Sequence, residues 1–364
     1  MPYLLSVGTW TPPFAVEQKD VLAFAREWFK NDFSDVDRLL SVFKNAEIER
    51  RHFSAPMDWF KKPRGFAEKN DLYVRTALEG GVASIHRCME NGCFLSEAVD
   101  PREIDALFFI SSTGLAAPSL DARIINQLAF RSDIVRLPVW GLGCAGGTSG
   151  LSRADDFCRA YPEKAALVVA VELCSLTFQY NDRSKSHFIG TSLFADGAAA
   201  VLVAGDRSPL LKKSRRDVLP KTVASASWLV PRSEEVMGWD VRDDGLYVVF
   251  SKSIPELVKR EFRPAAQKFL DAHGWQPEKL DYFIAHPGGK KVLDAYEQAL
   301  GLEGESLQDA RDVLRLFGNM SSPTVLFVLE KVMPKPSHPG VTGLSVSLGP
   351  GFSAEMLMLE WVNP

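Results

Sequence analysis

The sequence predicts an α/β fold made of two copies of one unit, and three observations carry that expectation. Short, continuous apolar runs alternate with helix-like segments, the pattern of buried strands covered by helices. A stretch of the first half recurs in the second. Pro101-Arg102-Glu103-Ile104-Asp105 leads into Ala106-Leu107-Phe108-Phe109-Ile110 and Ser111-Ser112-Thr113-Gly114, while Pro277-Glu278-Lys279-Leu280-Asp281 leads into Tyr282-Phe283-Ile284-Ala285 and His286-Pro287-Gly288-Gly289. The spacing beyond is kept too: 39 residues separate Asp105 from Cys144, and 38 separate Asp281 from Asn319. Two matches in register argue for duplication.

Taken in order, residues 1–7 read as a first strand ending at Gly8. They lack a basic region followed by a long apolar one, so they do not read as a signal peptide. The strand at 106–110 is followed by a helix-like segment at 120–130, and then by an apolar run that ends at the glycine turn holding Cys144. Continuous apolar runs at 165–171 and 197–205 read as the strands that close the first half. The second half repeats this with a strand at 282–285, a helix at 291–300 and a further apolar run ending at the turn of Asn319. Strands at 343–347 and 354–362 follow. The expected organisation is a first unit at 1–205 carrying the cysteine, a charged linker at 206–221, and a second unit at 222–364 carrying His286 and Asn319. The linker cluster Lys212-Lys213-Ser214-Arg215-Arg216 reads as a solvated loop or a phosphate contact, with composition favouring the loop.

The length of 364 residues suits two domains or one large one, and 46% hydrophobic with 24% charged residues supplies an ordinary globular core. A net charge of −4 with no long basic run argues against nucleic acid as a partner. No apolar stretch reaches the roughly 18 residues of a membrane span. The five cysteines, at 88, 93, 144, 158 and 174, are scattered, which suits a reducing cytoplasm better than a disulfide framework. Cys88 and Cys93 have no second pair nearby, so no zinc site, and no metal, is expected.

Cys144 lies in Gly141-Leu142-Gly143-Cys144-Ala145-Gly146-Gly147, where a strand passes into a helix. The unpaired N–H groups of a helix start favour a thiolate and are expected to lower the thiol pKa. His286 and Asn319 also follow apolar runs and sit at glycine-marked turns. His52, His86, His273 and His338 read as surface residues, and His187, in a polar stretch, stays open. Cys158 and Cys174 read as packing residues, with Cys174 a candidate pocket wall. If the halves pair about a pseudo-two-fold axis, Cys144 and Asn319 face each other and His286 joins them. A Cys, a His and an Asn together suit covalent acyl chemistry. Papain-like proteases use the same order, but their motif around the cysteine is missing here and they have no internal α/β duplication.

Gly143-Cys144-Ala145-Gly146-Gly147, Ala285-His286-Pro287-Gly288-Gly289, Gly318-Asn319-Met320-Ser321-Ser322 and Gly349-Pro350-Gly351 together resemble the chalcone synthase-like type III polyketide synthases over nearly the whole chain. The ketoacyl-carrier-protein synthase III enzymes share the Cys, His and Asn but follow the histidine with Gln-Ala-Asn, and hydroxymethylglutaryl-CoA synthases use a glutamate as general acid/base. The resemblance implies a thiolase fold, with duplicated αβαβα halves in a five-layered arrangement, working as a cytoplasmic homodimer. It implies that Cys144 takes a starter acyl group from acyl-CoA. His286 and Asn319 then bond the malonyl-CoA carbonyl as CO2 leaves. CoA thioesters are the substrates, and no cofactor is required.

The resemblance also assigns a pocket. Phe194 matches one gatekeeper, and Val248 stands at the second, where plant enzymes carry phenylalanine. Thr113, Ala117 and Cys174 align with cavity-lining positions, and their combination resembles bacterial alkylpyrone synthases with a tunnel for aliphatic chains. Thr177, Ser321 and Leu348 complete the expected pocket. For CoA, Arg38 falls at one expected basic position while Ser41 and Asn45 occupy two others. Lys44 or Arg51 stands in for them, beside Gly288 and Gly289. The expected reaction joins a fatty acyl-CoA to malonyl-CoA to give an alkylpyrone. The alternatives are a single-round 3-oxoacyl synthase and a malonyl-primed aromatic synthase.

Overall fold

The computed structural model describes residues 1–30, 36–302 and 305–364, the side chains of 36–38 excepted. The strands of the first half are β1 (Tyr3–Trp10), β2 (Phe14–Glu17), β3 (Arg50–Phe53), β4 (Ala106–Ile110), β5 (Val135–Val139), β6 (Ala165–Leu173) and β7 (Asp196–Ala204). Those of the second are β8 (Leu219–Leu229), β9 (Met237–Arg242), β10 (Gly245–Phe250), β11 (Tyr282–Ala285), β12 (Val341–Gly349) and β13 (Ser353–Val362). The helices are α1 (Gln18–Phe29), α2 (Val36–Asn45), α3 (Phe66–Met89), α4 (Leu120–Gln127), α5 (Gly146–Ala160), α6 (Lys185–Leu193), α7 (Ile254–Leu257), α8 (Arg263–Asp271), α9 (Lys290–Leu300), α10 (Gln308–Phe317) and α11 (Ser322–Val332).

Nine strands form one sheet in the order β11-β12-β13-β8-β1-β7-β6-β4-β5. Read outward from its centre, β8-β13-β12-β11 mirrors β1-β7-β6-β4, so the duplication legible in the sequence is the symmetry of the sheet. β1 and β8 join the halves through the antiparallel pair Tyr3–Lys221. In each half the two outer strands named last run parallel, β4 with β6 and β11 with β12, and β5 adds to β4 in parallel, while the other pairs of the sheet are antiparallel. The residues between β7 and β8 hold a short 3-10 turn at Pro209–Lys213, and Lys213 ion-pairs with Glu103 at 2.7 Å.

The central strands read as uninterrupted apolar runs because helices cover both of their faces. Every residue of β6 and β7 is buried. α3 covers β1, β7 and β6, while α5 and α11 pack against each other and against strands of both halves. All residues from Ser322 to Leu329 of α11 are buried, as befits a helix enclosed on all sides. A second apolar cluster, around Phe29, Phe43, Phe53, Phe60 and Phe188, packs α1 and α2 beside α6.

One element differs from expectation. The run before Asn319 is not a strand but the helix α10, and the second half has no counterpart of β5. Ala310, Val313 and Leu314 are buried, whereas Asp309, Asp312 and Arg315 form ion pairs on the other side. That is a helical period, which a short apolar run hides until its charged neighbours are counted. The helix at 120–130 ends earlier than expected, at Gln127.

Candidate active site

Cys144 sits in a 3-10 turn, Gly143–Ala145, that runs directly into α5. Gly143 has φ +48°, and a Cβ there would lie 2.9 Å from Pro350 Cδ. A side chain is excluded both by that backbone region and by the Gly-Pro-Gly loop packed on the turn. His286 follows β11, with its N–H donated to Val346 O at 2.7 Å. Asn319 follows α10, and its backbone pairs with the chain around Phe194: its N–H donates to Leu193 O at 2.9 Å, and its C=O accepts from Ala195 N–H at 2.8 Å. The three side chains meet at one cavity of about 270 Å3, which Gly288 and Leu348 also line.

Asn319 is fixed at both ends. Its Oδ1 accepts from Ser321 N–H at 2.8 Å, and its amide donates to Gly288 O at 3.1 Å, leaving the second amide hydrogen for the Cys144 sulfur. His286 is 2% exposed, and neither ring nitrogen has a partner among the described residues. Burial pushes its pKa down to about 3, so the ring is neutral at pH 7 and carries one donor and one acceptor.

The thiol corrects an expectation. Burial pushes Cys144 up to about 12, although Ser321 and Asn319 hydrogen-bond to the sulfur and oppose the rise. Desolvation outweighs the helix start here, because the turn is enclosed rather than open to water. The resting pair is therefore a thiol and a neutral imidazole.

Beneath the cysteine lies Glu172, a residue not anticipated from sequence. It has no solvent exposure and accepts from Ser112 N–H at 2.9 Å, Thr113 Oγ1 at 2.8 Å and Ser322 Oγ at 3.1 Å. Burial raises its pKa to about 7, and those hydrogen bonds hold it from rising further. An acid inside the apolar run of β6 was the available signal, since a buried carboxyl needs partners.

Cavities lead away from Cys144. One of about 380 Å3 joins Cys144 to Cys174, Phe194, Val248 and Ser321. Cys174, Phe194 and Val248 also border a chamber of about 500 Å3 that reaches Thr177, Phe24, Met57, Phe60 and Phe178. Thr177 and Thr113 border a smaller cavity of about 230 Å3 with Lys69. His187, left open by the sequence, lies on α6, is buried and lines the large chamber.

One assignment changes, that of Arg51, and two more residues find their places in the single chain. Ala117 is exposed in the single chain and lines none of that chain's cavities, because the 113–118 loop carries it to the surface. Arg51 does not reach outward toward CoA. It is 1% exposed and donates Nη1 to Thr191 O at 2.9 Å and Phe194 O at 2.7 Å. Gly289, expected beside CoA, caps the start of α9. Lys44 is exposed on α2, and the side chain of Arg38 lies outside the described residues.

A family profile for the C-terminal domain of chalcone and stilbene synthases matches residues 221–363, and one for FAE1/type III polyketide synthase-like proteins matches 63–223. The chain belongs to the type III polyketide synthases. These enzymes are acyltransferases. A Bacillus subtilis (strain 168) protein provisionally named a chalcone synthase is 45% identical over 99% of both chains. A 1,3,6,8-tetrahydroxynaphthalene synthase of Streptomyces peucetius subsp. caesius is 34% identical over 98% of this chain and 92% of its own. An alpha-pyrone synthesis polyketide synthase-like protein of Mycobacterium tuberculosis (strain CDC 1551 / Oshkosh) is 28% identical over 98% of this chain and 90% of its own. The crystal structure of the tetrahydroxynaphthalene synthase of Streptomyces coelicolor A3(2) superposes with a TM-score of 0.91 at 30% identity, covering all of both chains. The sheet and its two buried helices are thus the thiolase fold of this family. Among the described residues, no helix is long and apolar enough to cross a membrane.

Proposed function

We propose that this type III polyketide synthase condenses a fatty acyl-CoA starter with malonyl-CoA and releases alkylpyrone-type products. The chamber of about 500 Å3 beside Cys174 and Val248 carries the reading, since its far wall is built from Val21, Phe24, Met57, Phe60 and Phe178. An aliphatic chain gains about 0.8 kcal/mol per buried methylene, so such a chamber favours long starters over acetyl groups. The alpha-pyrone synthesis relative supports the same product class.

In this reading Cys144 Sγ attacks the acyl-CoA carbonyl while its proton passes to His286. The thioester to CoA breaks, one to Cys144 forms, and the proton leaves on the CoA sulfur. His286 N–H and the second amide hydrogen of Asn319, which turns from the Cys144 sulfur once that sulfur is acylated, then bond the thioester oxygen of malonyl-CoA. As CO2 departs, the C–C electron pair becomes an enolate held by those two donors. The enolate carbon attacks the Cys144-bound carbonyl, expels the thiolate and leaves a 3-oxoacyl-CoA for the next round. After two rounds the enol oxygen of the triketide attacks the terminal thioester carbonyl, the C–S bond breaks, and CoA leaves with the enol proton as the pyrone is released. CoA thioesters supply all the reacting groups, and no cofactor or metal enters.

We also propose a homodimer formed along β5. That strand is one of the two edges of the sheet, and Val135, Leu137, Trp140 and nearby Leu115 are 39 to 49% exposed there, whereas β11 at the other edge is largely buried. Contiguous apolar surface at a strand edge suits a second copy. Five free cysteines suit a reducing compartment such as the cytoplasm.

A second reading, a malonyl-primed aromatic synthase, is favoured by the 34% identity to a tetrahydroxynaphthalene synthase. Labelled malonyl-CoA offered with acyl-CoAs of graded length, followed by product mass analysis, separates the two. Alkylpyrones that carry the intact starter chain support the first. An aromatic product from malonyl-CoA alone, with fatty acyl-CoAs ignored, would replace it by the second.

A further inference from the structure

Lys69 is a lysine in the wrong place for a solvated cation. It lies near the start of α3, on the face that carries buried Tyr73 and Ala77, and is 5% exposed. Its Nζ donates to Gln179 Oε1 and, at 3.4 Å, to Asp244 O. Gln179, 2% exposed, donates its own amide to Leu246 O at 2.9 Å. Asp244 and Leu246 flank the tip of the β9–β10 hairpin. At that tip Gly245 has φ +147°, and a Cβ there would stand 2.4 Å from Gln179 Nε2. The hairpin therefore rests directly on the Lys69–Gln179 pair, with only a glycine able to fit between.

The same hairpin walls the active site. Met237, Trp239, Val248 and Phe250 border the cavity that holds Cys144, and Trp239 packs 6.2 Å from the Phe194 ring. Lys69 also borders the small cavity with Thr113 and Thr177. The hydroxyls of both threonines are engaged, Thr113 with Glu172 and Thr177 with Cys174 O, so the ammonium is the cationic donor at this cavity, beside the amide of Asn70.

We propose that Lys69, acting through Gln179, is a positioning residue that holds the β9–β10 hairpin against the body of the enzyme, and so sets how many malonyl extensions the cavity accepts. The proposal rests on the reading of Cys144 as the acyl carrier. Removing the ammonium leaves Gln179 Oε1 and Asp244 O without their donor and loosens the tip, which keeps only the bond from Gln179 to Leu246 O. The wall carrying Val248 then moves relative to Cys144, whereas His286 and Asn319, on other elements, stay in place. Lys69 touches no reacting atom in this scheme.

The test uses Lys69→Met and Gln179→Leu in the full-length enzyme. Three quantities are read: malonyl-CoA decarboxylation, the ratio of triketide to tetraketide products, and hydrogen exchange of residues 237–250. The expected result is a product ratio changed about fivefold, the effect of one ordinary hydrogen bond, in both variants. Hairpin exchange should be faster and decarboxylation within about twofold of wild type, because the donors are untouched. The double variant should fall short of the sum of the two single ones, since both remove the shared Lys69–Gln179 bond while each also removes one bond of its own to the hairpin. An unchanged ratio with unchanged exchange overturns the proposal. So does an equal fall in every activity at constant ratio, which would mark a purely structural lysine. Should Lys69→Met fail to fold, Gln179→Leu reads the same clamp from its other side. A wild-type enzyme that makes no polyketide would defeat the synthase reading instead, and hairpin exchange would still decide whether the clamp exists.

Discussion

Asn319 donates its side-chain amide to the carbonyl oxygen of Gly288 at 3.1 Å, which stitches the turn that ends α10 to the turn that carries His286. Two donors from distant parts of the chain are thus held as one unit before any substrate arrives. Such preorganisation is what lets hydrogen bonds act on charge that develops only in the transition state.

Replacing Asn319 by Ala removes one donor and the stitch together. Malonyl-CoA decarboxylation should fall roughly 100- to 1,000-fold, the usual loss for one donor of this kind. Starter loading on Cys144 should suffer much less, as followed by intact-protein mass. The opposite pattern, lost loading with normal decarboxylation, would reverse the assigned roles.

Cys144→Ala makes the complementary cut. Its side chain is the acyl acceptor, so no acyl-enzyme adduct and no polyketide should form. Release of CO2 from labelled malonyl-CoA should persist, since His286 and Asn319 remain. Polyketide formation by this variant would remove the covalent step from the scheme.

Cys144 and His286 were legible because each sits where an apolar run meets glycines, a local signal. Asn319 is legible through the repeat rather than its own neighbourhood, so the sequence predicts its position while the helix before it resembles a strand. Ala117 misled because alignment places a residue along the chain, not on one side of a loop. Glu172 and Lys69 went unread although each leaves a trace. One is an acid inside an apolar strand, and the other is a lysine at helical spacing from Tyr73 and Ala77. Their meaning depends on partners 60 or more residues away, Ser112 for the first and Gln179 for the second.

His286 gives a pH dependence with a definite sign. Its folded pKa, about 3, lies below the ordinary 6.5, so between those values the unfolded chain binds the extra proton. The contribution of the buried neutral ring to stability is complete above about pH 6.5 and shrinks as pH falls through that window. Urea midpoints of wild type should therefore drop more between pH 7 and pH 5 than those of His286→Gln, which cannot titrate there. Parallel curves for the two proteins would mean that His286 titrates normally.

The β5 edge gives a prediction independent of chemistry. Leu137→Asp places a charge on a strand whose apolar side chains are exposed in the single chain. A dimer built on that edge should dissociate, with the change read by sedimentation or light scattering, while an unrelated charge such as Tyr161→Asp leaves the mass unaltered. Retention of the dimer in Leu137→Asp would move the interface elsewhere.

Chain-length selection separates the chamber from the loop that alignment would have chosen. Cys174 is 2% exposed and borders both the cavity of Cys144 and the large chamber, so a phenylalanine there fills the passage between them. Overpacking of this kind costs about 1–3 kcal/mol of stability, a modest loss for a protein that gives little at its walls. Cys174→Phe should therefore shift preference strongly toward short starters and leave malonyl-CoA decarboxylation near normal. Ala117→Phe, whose side chain faces away from every cavity described above, should keep the wild-type profile. Competition assays with mixed acyl-CoAs, read by product mass, compare the two directly. A shift in Ala117→Phe with none in Cys174→Phe would place the acyl path along the loop and leave the apolar chamber without a role in starter choice.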